Sequence, residues 1–433
     1  MFASPGTRFG RRGSSLALVR VLIAASGSYG DVYPFVGLAR ELRLRGHEPI
    51  LFASDYFRAA AEAEHVEFVA VGSSADFDRV VRDPRLWHPT RGLEVLFDAL
   101  MQFTPLAYEL LLEHYRHGET VLVGSTTSFA ARLVQETQRA PLATVHLAPS
   151  VLRSARDAIH LPSFSIPAAA PAWIKSAFWR LADRFALDPL IAARLNGYRA
   201  TLGLPRIRRV LDRWPHSPDC VIGMFPEWFA AHRADWPAQT RLTGFPLYDA
   251  AEHERLPEEL ESFLGAGPPP VLFAPGTANV SAHAFFETSL AACEKAGRRA
   301  LLVTRYAEQM PRPLPDWSRH FDYLPFSTVL PRCCAFVSHG GIGTISQGFR
   351  AGIPQLVRPM AFDQFDNARR AERLGVARVI APANYEPPAA ANALAGIVSP
   401  EYGQRCRDVA THFAGDTPLA DTAAILEQRL VPS

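Results

Sequence analysis

Short apolar runs alternate with helix-length segments along almost the whole chain, and the series occurs twice. From Val19 the sequence reads VRVLIAASGSYGDVYPFVGLARELRLRGHEPILFAS: an apolar run, a glycine-rich turn, an amphipathic stretch, Gly46 and a second apolar run. That is the order of a parallel βαβ unit, with Gly46 where a helix C-cap belongs. VEFVAVG near residue 69, TVLVGS at 120–125, PLATVHLAP at 141–149 and CVIGMF at 220–225 continue the pattern. A second series opens after the polar, Pro/Gly-rich segment 249–270, with PPVLFAPGTAN, RRALLVTR, CCAFVSHGGIGTISQGFRAG and IPQLVRPM. Strands that alternate with helices predict an α/β fold of doubly wound parallel sheets, in two halves joined near residues 245–270. Two such halves create a cleft, and ligands of these sheets lie beyond the carboxyl ends of the strands.

Composition narrows the function. The chain has 433 residues, enough for two or three domains without disulfide or metal staples. A net charge of +2 argues against a nucleic-acid binder, which would concentrate positive charge to displace counterions from phosphate. The five cysteines, Cys220, Cys293, Cys333, Cys334 and Cys406, lack CxxC or Cys/His ligand spacing, and a reducing cytoplasm fits them best. No run reaches the roughly 18 uncharged apolar residues of a spanning helix. Arg8, Arg11 and Arg12 precede an apolar stretch as in a secretory signal, but Arg20 interrupts it, so residues 1–18 are expected to be a disordered extension.

The segment Ser338-His339-Gly340-Gly341-Ile342-Gly343-Thr344 carries the clearest chemistry. A strand ends here and a helix begins, so free N–H groups and the positive end of the helix dipole point into the cleft. Glycines at 340, 341 and 343 take away side chains that would hold an anion off that backbone, and His339 and Thr344 add donors. The loop is a diphosphate cradle by physical logic, the competing reading being a tight turn with an incidental His. Gly276-Thr277-Ala278-Asn279 offers a second anion contact or only a helix cap. In Met360-Ala361-Phe362-Asp363-Gln364-Phe365-Asp366-Asn367, Asp363 beside Gln364 suits vicinal sugar hydroxyls, which need both donors and acceptors; helix capping by Asp363 or Asp366 is the alternative.

In the first half, Gly27-Ser28-Tyr29-Gly30-Asp31 would face the same cleft. Asp31 can take a proton from an acceptor hydroxyl if burial raises its pKa or if transfer is concerted with bond formation; otherwise it is a helix cap beside Pro34. Tyr323 and Phe326 offer flat faces for a nucleobase, or belong to the core. Between the series, residues 151–215 break the rhythm: Trp173, Phe178, Trp179, Phe185 and Leu187 can line one helical face, packed on its own domain or turned to lipid or acceptor.

HGGIGT, APGTAN, MAFDQFDN and GSYGDVYPFVGLA together resemble the family 1 glycosyltransferases of GT-B fold. DPRLWHP at 83–89, AFWRLADRFALD at 177–188, RWPHSP at 213–218, FPEWFA at 225–230, DWP at 235–237 and TGFPLYD at 243–249 are similar, within that family, to the bacterial rhamnosyltransferases that make rhamnolipids. The resemblance implies two facing Rossmann-like domains, an acceptor half over 19–245 and a nucleotide-sugar half over 246–415, with a C-terminal helix at 416–433 crossing back. It implies that His339 with the backbone at Gly343 and Thr344 holds the donor diphosphate, assisted by Thr277. Asp363 and Gln364 would hold the sugar, and Tyr323 or Phe326 would stack on the base. Asp31 stands where many members have a His base and some an Asp. The partner Asp of the His enzymes is absent, since the corresponding turn holds Ser125, Thr126 and Thr127.

The expected reaction is inverting, metal-independent hexosyl transfer, most simply of rhamnose, from a nucleoside-diphosphate sugar such as dTDP-rhamnose or UDP-glucose to a hydroxyl of a largely apolar acceptor such as a hydroxyacyl lipid. The runner-up is a UDP-glucose-dependent glucosyltransferase acting on a sterol, flavonoid or polyketide. Rivals of other classes are a dinucleotide-dependent oxidoreductase, disfavoured because the first turn reads Gly27-x-x-Gly30 and not GxGxxG, and a non-catalytic partner subunit. No cofactor, no metal and no nucleic acid are expected. The expected location is cytoplasmic, with a peripheral membrane or acyltransferase contact as a second use of the 151–215 segment.

Overall fold

A computed structural model describes residues 18–88, 91–162, 164–249 and 255–430. The extension expected over residues 1–18 lies, apart from Leu18, outside the described residues.

The first sheet contains β1 (Arg20–Ala24), β2 (Glu48–Ala53), β3 (Glu67–Ala70), β4 (Thr120–Ser125), β5 (Leu142–His146), β6 (Cys220–Gly223) and β7 (Thr240–Leu242), in the order β3-β2-β1-β4-β5-β6-β7. The second contains β8 (Val271–Ala274), β9 (Ala300–Val303), β10 (Ser318–Phe321), β11 (Ala335–Ser338), β12 (Gln355–Val357) and β13 (Ala377–Val379), in the order β10-β9-β8-β11-β12-β13. Every pairing in both sheets is parallel. Helices used below are α1 (Tyr29–Leu44), α2 (Gly92–His114), α3 (Phe129–Gln138), α4 (Ala172–Ala182), α5 (Asp188–Thr201), α6 (His283–Ala296), α7 (Ile342–Ala351), α8 (Gln364–Arg373) and α9 (Pro418–Leu430).

The strands are apolar on both faces because both faces are covered. Leu22 of β1 sits opposite Ile50 and Leu122 in the ladder. Val21 and Ile23 enter one core with α1 and α9, while Leu22 and Ala24 enter the other with α2, α3 and α5. α2 is long and apolar enough to cross a membrane by length and composition alone; here Phe97, Met101, Tyr108 and Leu111 pack it into the second of these cores.

In each sheet the order reverses beside the first strand, between β1 and β4 and between β8 and β11. These switch points open a crevice above the strand ends; Asp31, in the first turn of α1, and Thr126, Thr277 and His339, in loops, follow these four strands. The halves also share a core, in which Phe229 and Phe245 meet Phe349 of α7 at ring distances of 5.7 and 6.1 Å. α9 returns to the first half, where Leu426, 2% exposed, joins the α1 core.

The 151–215 aromatics do not form one packed face. Trp179 lies under the Arg153 guanidinium at 4.4 Å and Phe178 packs edge-on to Phe164 and Trp179. Trp173 and Phe185 are instead 70% and 69% exposed. Phe185 itself lies in a short π-helical segment, Asp183–Leu187, which shifts the helical register after Trp173, Phe178 and Trp179.

Candidate functional site

Asp31 occupies the third position of α1, not its cap. Ser28 is the cap residue, and Asp31 Oδ2 accepts the Ser28 N–H at 2.7 Å and the Ser28 hydroxyl at 2.9 Å. The Ser-x-x-Asp spacing thus closes a capping box that holds one carboxylate oxygen in place. Crowding by protein atoms in the cleft raises the Asp31 pKa, and the two Ser28 bonds oppose the rise, although the side chain still meets solvent.

Across the cleft, α7 starts at Ile342 with Gly341 as its cap residue. The three glycines of this loop have different reasons. Gly340 has φ +89°, and a β-carbon there would come within 2.7 Å of Val357. A β-carbon on Gly341 would strike His339 Nε2 at 2.6 Å. These two are therefore required by packing around the His339 ring and the turn, whereas Gly343 alone faces the opposite half: a β-carbon there would lie 3.8 Å from the Gly30 Cα. The start of α7 and the start of α1 thus meet head to head, with two helix N-termini directed into one crevice.

His339 is largely enclosed, and its Nδ1 is buried without a hydrogen-bond partner. Desolvation lowers its pKa to about 4, against the Ala274 backbone, which favours the proton. The ring is neutral at pH 7 and offers a single N–H. Thr277 is exposed on the facing loop and Thr344 half-buried in the first turn of α7.

Asp363 sits at the entrance of α8, where its side chain caps nothing. Its Oδ2 accepts from Asn367 Nδ2 at 2.6 Å, and the same amide nitrogen donates to the Gly340 carbonyl at 3.1 Å, tying the two loops together. Burial pushes the Asp363 carboxyl up to about 7, opposed by the Asn367 hydrogen bond and reinforced by the charges of Asp31 and Asp366. The Asp31 and Asp363 carboxylates therefore feel each other across the cleft.

Two of the expected ligand contacts have other work. Gln364 is 3% exposed, and its Oε1 accepts the N–H groups of Met360 at 2.8 Å and Ala361 at 3.1 Å. Its carbonyl end closes the loop that presents Asp363 and is not available to a sugar. Phe326 is half-buried and packs edge-on to Phe336 of β11 at 5.2 Å, so part of its ring is taken up by the core of the second half. Tyr323 is half-buried where the halves meet, close enough to Tyr33 and Tyr248 to influence both hydroxyls.

Tertiary contacts add groups with no local signal. Trp87 Nε1 donates to the Ala278 carbonyl at 3.3 Å, and its ring meets Phe362 at 6.1 Å. Arg305, following β9, reaches the first half over the Tyr56 ring at 4.6 Å and contacts Asp78 at 3.6 Å. Below the β4 turn, Thr126 Oγ1 bonds His146 Nδ1 at 2.9 Å, and His146 Nε2 bonds His216 Nδ1 at 2.8 Å. Both rings are kept neutral by burial. Only the DPRLWHP and RWPHSP segments hinted at Trp87 and His216. Among the described residues no group of three or more His, Cys, Asp or Glu side chains is placed to hold a metal ion.

Residues 21–155 match the glycosyltransferase family 28 N-terminal domain, and residues 301–427 match the C-terminal domain of erythromycin biosynthesis protein CIII-like proteins. The chain is 27% identical over 423 residues to O-mycaminosyltylonolide 6-deoxyallosyltransferase of Streptomyces fradiae, covering 95% of this chain and 97% of that one. Among solved structures, the glycotransferase of kitacinnamycin superposes with a TM-score of 0.74 at 19% identity over 95% of this chain and 99% of its own. The spinosyn rhamnosyltransferase SpnG complexed with thymidine diphosphate superposes with a TM-score of 0.62 at 19% identity, covering 94% and 100%. The two parallel sheets have the GT-B glycosyltransferase fold, and the domain matches in both halves support a glycosyltransferase.

Proposed function

We propose that the chain transfers a 6-deoxyhexosyl group, rhamnose in the simplest case, from a nucleoside-diphosphate sugar to a hydroxyl of a largely apolar acceptor, with inversion. The observation that carries this reading is the approach of the start of α1, which holds Asp31, to the glycine-lined start of α7, a β-carbon on Gly343 lying 3.8 Å from the Gly30 Cα, with Asp363 tied to the same glycine loop through Asn367. Asp31, its pKa raised by burial, takes the acceptor proton. The acceptor oxygen forms its bond to the anomeric carbon as the bond from that carbon to the diphosphate oxygen breaks. The nucleoside diphosphate departs with the bonding pair. The N–H group at Gly343, the Thr344 hydroxyl, the dipole of α7 and the neutral N–H of His339 meet the developing charge, with Thr277 on the facing loop; the Thr344 N–H itself donates to the Gly341 carbonyl at 3.0 Å. Asp363 accepts from the sugar hydroxyls when ionised and donates when protonated.

A deoxysugar donor agrees with the names of the Streptomyces fradiae relative and of SpnG, and thymidine diphosphate is what that SpnG structure contains. The segments that resemble the rhamnolipid group favour a hydroxyacyl acceptor, whereas those two names favour a polyketide. The test is a thermal-shift panel of dTDP-rhamnose and UDP-glucose, followed by mass spectrometry of products with 3-hydroxyacyl and polyketide acceptors. A dTDP-rhamnose-dependent mass gain of one deoxyhexose is expected. Absence of nucleotide-sugar binding, or turnover indifferent to acceptor, would rule the reading out.

A further inference from the structure

A cavity of about 610 Å³ lies outside the cleft, between the loop after β5, α4 and the segments leading into β6 and β7. None of the residues assigned to the cleft lines it. Its wall holds Arg153, Arg180, Arg209 and Arg213 with Trp179 and Trp236. The guanidiniums are held close together by shared carboxylates. Asp183, almost fully buried, takes Arg153 at 2.6 Å and Arg209 at 3.0 Å, and Asp212 takes Arg209 at 3.0 Å and Arg213 at 3.6 Å. Asp235 accepts the Ser154 hydroxyl and the Ala155 N–H. Arg180 makes no ion pair among the described residues, so the cluster keeps one positive charge in excess. His216, held neutral by burial, lines the same wall and adds none.

The rim is apolar. Ser176 and Arg180 line the cavity, and Trp173 stands one turn before Ser176 on the same stripe of α4, 70% exposed. Nearby Ile174, Leu181 and Phe185 are exposed as well. A large exposed apolar surface beside an excess cation marks a binding site more often than a solvated face.

We propose that this cavity binds a soluble amphiphile with a singly charged acidic head. The head sits among Arg180, Arg213 and Arg153, and the alkyl tail leaves along α4 over Trp173. The site does not depend on the transfer reaction proposed for the cleft.

The experiment titrates the full chain with monomeric dodecanoate, 1-dodecanol and phosphatidylglycerol vesicles, reading calorimetry and tryptophan fluorescence. Saturable one-site binding of dodecanoate is expected, with dodecanol at least about tenfold weaker, since the alcohol forfeits the charge-assisted contact with the guanidiniums. R180Q/R213Q should weaken dodecanoate about tenfold or more, and W173A should weaken it several-fold while lowering the effect of tail length. Both arginines are exposed, so circular dichroism and Tm should match the parent chain. Equal affinity for dodecanol, unchanged affinity in R180Q/R213Q, or binding to vesicles without binding of monomeric dodecanoate would overturn the proposal.

Discussion

Asp31 of the first half and Asp363 of the second are brought within electrostatic reach of each other, and the charge of Asp31 helps to raise the proton affinity of Asp363. The two carboxylates are 332 positions apart in the chain. One is held by its own helix cap and the other by an amide that also grips the glycine loop.

Asp31→Asn keeps an acceptor for the Ser28 bonds but cannot take a proton. With the donor and acceptor identified by the panel above, kcat should fall about 10²- to 10⁴-fold, the usual range for a general base, while the affinity for the nucleoside diphosphate measured by calorimetry stays the same. Full activity in this variant would remove Asp31 from the chemistry.

His339→Ala should weaken nucleoside-diphosphate binding by about 1.5–3 kcal/mol, the worth of a hydrogen bond to a charged group. Burial leaves the ring neutral above about pH 4 in the free site. A bound diphosphate favours the protonated ring and raises its pKa, so affinity should climb as pH falls from 8 toward 5. His339→Gln should flatten that slope; a slope that survives the substitution belongs to another group.

Asp363 makes stability depend on pH. Its carboxyl is raised to about 7, chiefly by burial and then by the charges of Asp31 and Asp366, against the Asn367 hydrogen bond. Between roughly pH 4 and 7 the folded chain keeps a proton that the unfolded chain has released, so this contribution is fully present below the unfolded pKa and is lost as pH rises through 7. Asp363→Asn does not titrate. Its Tm relative to the parent should rise from pH 4 to pH 8, and a flat difference would mean that Asp363 is not raised.

Arg370 of α8 joins the halves, with Nη2 2.8 Å from Asp157 of the first and Nε 2.6 Å from Asp366 on its own helix. Burial pushes the Asp157 carboxyl up, but the Arg370 charge and hydrogen bond outweigh it and hold it below its ordinary value. Arg370→Ala would leave buried Asp366 without its ion pair and Asp157 with only the longer contacts to Arg233 at 3.7 Å and Arg373 at 3.9 Å, at a cost of about 3–5 kcal/mol. Denaturant unfolding measures it, and a change under about 1 kcal/mol, the worth of an exposed pair, would show that water reaches the carboxylates.

The two series of parallel strands, the helices that begin near Asp31 and Ile342, and the loops after β1, β8 and β11 were legible because each depends on residues within a dozen positions. An apolar run of period one or two and a glycine turn state their conformation locally, whereas the cap of α1 falls to Ser28 and not to Asp31. The individual roles inside those loops were less legible. Gln364 reads as a sugar ligand because its amide suits hydroxyls, yet the backbone of Met360 and Ala361 claims its oxygen first. Phe326 reads as a platform because it precedes the cradle strand, and its ring also packs edge-on to Phe336, a contact no local pattern shows. Of the glycines in the cradle loop, only Gly343 is turned toward the opposite half.

By itself the sequence determined the fold class and which loops crown the strands, since hydrophobic period and turn chemistry act over short distances. Tertiary structure decided which groups in those loops face one another, how far burial shifts their protons, and that Trp173 and Phe185 stay exposed while Trp179 packs under Arg153. Those outcomes depend on water being excluded by residues from distant parts of the chain, a quantity that no local pattern encodes.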